Sequence, residues 1–583
     1  MRLPIGSVTL LCCCAVPFMA QTPYPYSVTN SASYRSDAIA QGSLFVVFGS
    51  GLGPSPLQQV DGFPLPSELA GTSIRITVGS VTVAAPMVYT SAGQVAAILP
   101  STVPEGQATL RLSYKGTNSY SLPIQVVRSA FGTYAVGSRG IGAGVITDPQ
   151  YRLKTYSAPA KPGDTLIIWG TGLGPVEGNE ASGPLPGNNF TDVEVYVGNN
   201  RAPLRYAGRS GCCAGLDQIA FDVPDTSMGC FVPVAVRSGG RTSNFVSLPV
   251  SADGSACAEP IGIPADVRAR TAAGEAVGLG MLGIGPVQIL QGVGYSESSA
   301  VARRLSSLLQ TAVPESEVRR LLRSTGSAKA LLLRQFAKKY AARLRSSPAK
   351  LRAALLTAVS IDELGASAAF TQVRDVGSVA EVFPGFWPPP GTCTVLDSNL
   401  VSEPAGSGHA QARDAGAQLS VAGPIGSRLM QKVEDGLYQV SFGSGFGDTR
   451  MPRGEYTMTG TGGRDVGAFT ARVQATTTLQ WTNRVETLWV DRRQPLTIRW
   501  TGDVGYVLLG GVGGGMAFSC VEDARKGSFT VPVHVLAALP ALGSSEGYLF
   551  LFPHPFVNRV TVPGLDLIYF ADFSGDWKEI DYR

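Results

Sequence analysis

Three histidines, His409, His534 and His554, supply all the imidazole in the chain. None stands in H-E-x-x-H or another zinc-ligand spacing. Gly543-Ser544-Ser545-Glu546-Gly547 fits the nucleophile pattern G-x-S-x-G. A nucleophile elbow needs a strand before the serine and a helix after it. Here Pro540 precedes the pattern and Tyr548-Leu549-Phe550-Leu551 reads as a strand, so Ser545 is expected to be a turn serine. Asp465, Asp491, Asp503 and Asp566 lie near strand ends and are the carboxylates best placed for paired acid and base work on a glycosidic bond, with turn formation the competing reading for each. Trp387, Trp481, Trp500 and Trp577 could stack on sugars, although a tryptophan on a strand more often fills the core. No catalytic, cofactor-binding or metal-ligating residue is assigned on these grounds, and no cofactor is expected.

Sulfur is the next reactive group. Arg2, an uncharged apolar run from Leu3 to Ala15 and the small Ala20 form the pattern of a secretory signal peptide over residues 1–20, cleaved near Ala20. A lipoprotein reading of Cys12 competes, although the residue before it, Leu11, is not the small one that reading asks for. Removal of the leader takes Cys12, Cys13 and Cys14 with it and leaves Cys212, Cys213, Cys230, Cys257, Cys393 and Cys520. In an exported chain these read as a disulfide framework. Proximity favours Cys393 with Cys520; the other four share two bridges whose pairing stays open. A zinc site competes, but adjacent Cys212 and Cys213 lack the C-x2-C spacing that lets two thiolates reach one metal.

Residues 296–360 carry the strongest local charge. Leu332, Phe336, Tyr340 and Leu344 recur at helical spacing, and the opposite face is basic. Thirteen cations, among them Arg319, Arg320, Arg323, Lys338, Lys339 and Arg343, oppose three glutamates, a local charge of +10 in a chain whose total is +4. The simple reading is a solvated face of a small helical subdomain. The sharper one is contact with anionic lipid, lipopolysaccharide or anionic polymer. Export makes nucleic acid the least favoured partner.

The elements that must position these groups are mostly strands. A chain of 583 residues exceeds what a single core supports, so roughly three or four domains are expected. Period-two runs such as Ser73–Val78 and Ala108–Leu112, punctuated by Gly and Pro, read as half-buried strands. One heptad occurs twice, Phe48-Gly49-Ser50-Gly51-Leu52-Gly53-Pro54 and Trp169-Gly170-Thr171-Gly172-Leu173-Gly174-Pro175. Each copy is followed in the same order by Pro-Leu-Pro, Val-Gly, Ala-Pro-x-x-Tyr and Gln, which marks an internal duplication of about 120 residues. The second copy alone holds Gly211-Cys212-Cys213-Ala214-Gly215, an insertion within reach of a bridge to Cys230 or Cys257.

A strand opened by Gly-Ser or Gly-Asp and closed by Gly-x-Gly-Leu-Gly-Pro resembles the first strand of the immunoglobulin-like modules called IPT/TIG. The tandem as a whole resembles a class of secreted bacterial proteins built on such a pair. The resemblance covers residues 27–251 and implies an Ig-like β-sandwich and an extracytoplasmic setting, and brings no catalytic residues. The later block containing Gly463, Asp465-Val466-Gly467 and Gly564-Leu565-Asp566 looks like a domain that accompanies the pair in the same proteins.

The expected architecture is mainly β. Two tandem Ig-like β-sandwiches occupy 27–128 and 129–252, a linker with strands and turns 253–295, a basic helical insert 296–365, and an all-β domain 366–583. Within the linker, the charge-free run 276–295 is weighed as a membrane span and set aside because glycines and Pro286 interrupt it. Its Gly278-x-Gly280-x-x-Gly283 lacks the βαβ context of a dinucleotide site. The function expected is that of an exported, non-enzymatic surface or matrix protein that binds polysaccharide or another surface protein. A polysaccharide hydrolase with its site in the C-terminal domain, and anionic-surface binding by the helices, are the alternatives.

Overall fold

The computed structural model describes residues 22–187, 190–226, 228–258, 262–286, 339, 363–374, 388–397, 410–444, 451–475, 478–502, 504–541 and 547–583. These residues are mainly β. Along Thr72–Val78, Ile74 and Ile76 point inward while Arg75 is exposed, because successive side chains of a strand alternate between faces. Antiparallel Gly106–Tyr114 sets Leu110 opposite Ile76 and Leu112 opposite Ile74. Their sheet runs Ile39–Ala40, Leu122–Val127, Gly106–Tyr114, Thr72–Val78, Glu68–Leu69. The facing sheet runs Tyr24–Asn30, Leu44–Ser50, Gln94–Ile98, Met87–Thr90, Gln58–Gln59. Phe45, Val47 and Val95 of the latter meet Ile74, Ile76 and Leu110 of the former in one core, a β-sandwich.

The second copy repeats the plan. Thr165–Thr171, Asp217–Asp222 and Leu204–Arg209 form one sheet, and Val193–Val197, Gly229–Ser238 and Val246–Val250 belong to the other. Leu166, Ile168, Val195, Val234 and Leu248 fill the space between. The shared Val-Gly landmark has one job in both copies. Gly79 (φ +57°) and Gly198 (φ +60°) open the two-residue turns that pair Val78 with Val81 and Val197 with Asn200, a conformation that glycine adopts without strain.

The C-terminal half holds three further sheets among the described residues. The largest runs Phe469–Ala475, Gly454–Gly460, Gln418–Gly423, Gly426–Glu434, Leu437–Ser444, Glu363–Val373, Val277–Pro286, Leu567–Asp572, Arg559–Val560. A second contains Thr392–Asp397, Met516–Asp523, Tyr506–Gly513, Gly547–Pro553 and Asp576–Ile580, and a third Gln480–Trp481, Leu496–Thr501 and Ser528–Val531.

The structure adds detail to the stretch 253–295 and to the C-terminal strands. Val277–Pro286, inside the stretch read as a linker with strands and turns, is a strand buried at every position within the largest sheet, antiparallel to Glu363–Val373 and parallel to Leu567–Asp572. A strand covered on both faces has no polar side, which accounts for its lack of charge. Gly278 and Gly280 therefore lie in a strand and not in a phosphate-binding turn, and a Cβ on Gly280 would stand 2.6 Å from Ile568 Cδ1. The linker also contains a helix, Ala265–Ala272, with Asp266 in its first turn and Arg270 in its last, as the helix dipole favours. In the C-terminal domain, Ser528–Val531 stops before Pro532, and Val533 starts a one-turn helix. Proline lacks the ladder N–H yet suits a helix start. No helix among the described residues is long and apolar enough to cross a membrane.

Candidate functional site

The second copy of the heptad lies at the joint between the sandwiches. Arg209, 1% exposed, ends one strand and Asp217, 0% exposed, begins the next, and the two form a buried ion pair. Arg209 Nη2 also donates to the carbonyls of Gly42 (2.9 Å), in the first sandwich, and Gly174 (2.6 Å), in the heptad. Asp217 accepts the Leu173 N–H at 2.8 Å. Burial pushes the Asp217 carboxyl up, against the Arg209 charge and the backbone donors that favour its ionised form. Thr171 Oγ1 accepts the Leu44 N–H (2.9 Å) and donates to the Gly215 carbonyl (2.6 Å). Asn30 Nδ2 reaches the carbonyls of Ala130 and Thr171 at 3.2 and 3.1 Å. Beside them, Glu180 accepts the Ser101 N–H at 2.9 Å and Leu65 donates to Ala181 at 2.7 Å. The first heptad is anchored within its own sandwich, where the Leu52 N–H bonds the Ala92 carbonyl.

Sequence reasoning missed this joint. The available signal was that Arg209 and Asp217 flank the insertion peculiar to the second copy, but nothing local revealed that both would be buried.

The sequence-derived candidates scatter. Asp465 accepts the Asp414 N–H (2.9 Å) and Arg464 Nη2 (3.1 Å), and Asp414 in turn accepts Lys432 Nζ (3.0 Å). The Arg464 guanidinium holds the Asp465 carboxyl below the usual range, and hydrogen bonds, led by the Arg464 N–H, do the same for Asp414. Asp491 closes a turn on Arg493, whose guanidinium lowers its pKa. Asp566 accepts Arg270 Nη1 (2.6 Å) and the Gly278 N–H (2.7 Å). The loops of Asp465 and Asp566 do meet, with Gly467 N–H on the Pro563 carbonyl at 2.8 Å, but their carboxylates go to separate partners. Each is thus engaged as turn or loop cement. Ser545, Asp503, His409 and Trp387 lie outside the described residues, as do Arg319, Arg320, Arg323, Lys338 and Arg343; Lys339 alone of that basic set is described.

His534 is 3% exposed and sits between the second sandwich and the C-terminal sheets, stacked on Tyr196 at 3.9 Å and parallel to Phe245 at 6.3 Å. Burial, helped by nearby Arg237, pulls its pKa down to about 3. His554 is buried, and its Nδ1 accepts the Phe556 N–H at 3.3 Å. Trp481 and Trp500 face each other across paired strands inside the core, with their indole N–H groups on Asn483 and Ala524.

The cysteines are placed in disulfide-compatible pairs. Cys393 and Cys520 are directly opposite in adjacent strands, with sulfurs 2.04 Å apart. Cys230 and Cys257 are 2.02 Å apart, and Cys212 adjoins Cys213. The sulfurs of the insertion thus face each other and not Cys230 or Cys257, which pair together.

Among the described residues, the first sandwich and the largest sheet each present a surface to solvent that a ligand could reach. On the first sandwich Tyr24 and Tyr26 are exposed, and the Tyr120 ring lies 5.4 Å from that of Tyr24. On the largest sheet a groove of about 570 Å³ is lined by Gln418, Ser420, Leu429, Thr459, Phe469 and Thr470 together with Leu419 and neighbouring small residues. None of the described candidate aspartates, Asp465, Asp491 and Asp566, lines it.

No family model matches the chain, and no curated protein matches it. Solved structures overlap it weakly. The extracellular region of Plexin A4 is 11% identical over 38% of this chain and 17% of that one, with a TM-score of 0.15. SGBP-B from a complex xyloglucan utilization locus in Bacteroides uniformis is 13% identical over 42% of this chain and 52% of that one, at 0.14. Domains 5-6 of the S-layer protein SbsC are 12% identical over 40% of this chain and 99% of theirs, at 0.16. The overlap thus takes in less than two thirds of the first two of these proteins, and at such scores the likeness identifies neither a family nor an activity.

Proposed function

We propose that the chain works outside the cytoplasm as a surface or matrix protein that binds rather than catalyses, its two sandwiches forming a stiff arm that carries the C-terminal sheets. The observation that carries this reading is the Arg209 hub. A fully buried guanidinium bonded to both sandwiches makes sense where two modules must hold one fixed geometry, since loss of either partner of a buried pair is strongly destabilising. The doubled heptad and its resemblance to IPT/TIG modules stand behind the same reading, as do the signal-peptide pattern and the paired sulfurs. The test is fractionation of expressing cells followed by incubation of the purified chain with cell-envelope and matrix material. A processed, oxidised chain retained by that material is the expected result; an unprocessed cytoplasmic chain with free thiols, or one that envelope and matrix material do not retain, would sink the proposal.

A further inference from the structure

The groove on the largest sheet has a regular floor. Register sets Leu429 opposite Ser420, Ser420 opposite Thr459, and Thr459 opposite Thr470. These four therefore form one row on the outer face, while Leu419, Met430 and Phe469 alternate into the core. The row crosses four strands, roughly 14 Å at the usual strand spacing. Ser420 Oγ and Thr459 Oγ1 are bonded to each other at 2.6 Å.

We propose that this groove binds an uncharged polysaccharide laid across the strands. The inference rests on the reading of the chain as a binding protein and adds a ligand class and the residues that read it. None of the described lining residues carries a charge, so an anionic polymer would find no cation within the groove to pair with. The hydroxyls of Ser420, Thr459 and Thr470 each donate and accept, and the Gln418 amide does both, which matches a ligand made of hydroxyl groups. Leu429 is 58% exposed and offers an apolar ledge to the C–H face of a sugar ring. The strands Gln418–Gly423 and Gly454–Gly460 are paired on both sides, which leaves side chains, not free backbone, to recognise the ligand. Because the row stands on strands and not on loops, little side-chain and backbone freedom is lost on binding.

Affinity electrophoresis of the full chain through gels containing dextran, mixed-linkage β-glucan or galactomannan tests this, with alginate as the anionic comparison. At least one uncharged polymer is expected to retard the chain. Ser420→Ala with Thr459→Val and Thr470→Val, and separately Leu429→Asp, are expected to weaken that retardation about tenfold or more, while Thr459→Ser retains it. Equal denaturation midpoints establish that the variants fold; Gln418→Ala replaces any that does not, with the same weakening expected. Retardation by alginate alone, no retardation by any uncharged polymer, or retardation that survives the groove variants would each overturn the assignment. A chain that still adheres to envelope material after such a result loses the groove and keeps the surface-binding reading; one that adheres to nothing loses both.

Discussion

Arg209 is the residue on which the geometry of the arm depends. Replacement by Met leaves Asp217 buried without its cation and is expected to cost about 3–5 kcal/mol, measured by urea unfolding of the full chain, whereas Arg209→Met combined with Asp217→Leu loses less. Equal losses in the single and double variants would contradict the hub. His534 makes a second prediction. Tyr196, Phe245 and Arg237 surround it, and Glu194 holds both the Tyr196 hydroxyl (3.0 Å) and Arg237 (3.4 Å). With its pKa brought from 6.5 to about 3, the folded protein resists a proton that the unfolded chain accepts. Its contribution is full above pH 6.5 and is lost as pH falls toward 3, at about 1.4 kcal/mol per unit. The acid slope of the melting temperature is expected to flatten in His534→Phe, and an unchanged slope would refute the assignment.

At the scale of elements, the loops of Asp465 and Asp566 lock backbone to backbone. Gly564, at φ +89°, lies against the Asp465 carbonyl, so Gly564→Ala combines strain with a clash and is expected to destabilise by about 1–3 kcal/mol in thermal unfolding. The basic stretch around Arg319, Arg320 and Arg323 is proposed to bind anionic surfaces. Sedimentation with anionic vesicles should fall with added salt and in the triple alanine variant, and indifference to both would remove the idea. Half-buried strands such as Thr72–Val78 and Gly106–Tyr114 were legible because alternation of residue type is alternation of face. Val277–Pro286 was legible only as part of a linker with strands and turns, because a strand buried on both faces shows no alternation and its glycines imitate a loop. The groove was hidden for a different reason. Ser420, Thr459 and Thr470 read singly as ordinary outward residues, and only strand register brings them into one row. The Arg209 joint was invisible because partners from separate sandwiches, Gly42 among them, define it.

For the whole molecule, mass mapping of the oxidised protein is expected to recover peptides joined through Cys393 and Cys520 and through Cys230 and Cys257; free thiols at these positions would refute the pairings. In the chain-entropy model the longer of the two loops contributes at most roughly 4–5 kcal/mol.

The parallel pairing of Val277–Pro286 with Leu567–Asp572 has a consequence in time. The Gly278 N–H bonds a carboxylate 288 residues away, so the centre of the largest sheet cannot close until residues near 570 are available to pair. The two sandwiches complete their own pairing by Val250 and are free to fold first. Until Leu567–Asp572 arrives, an entirely apolar strand waits with one edge open, the kind of surface on which chains aggregate. A nascent chain stopped before residue 567 is therefore expected to keep a folded arm and to depend on chaperones for the rest.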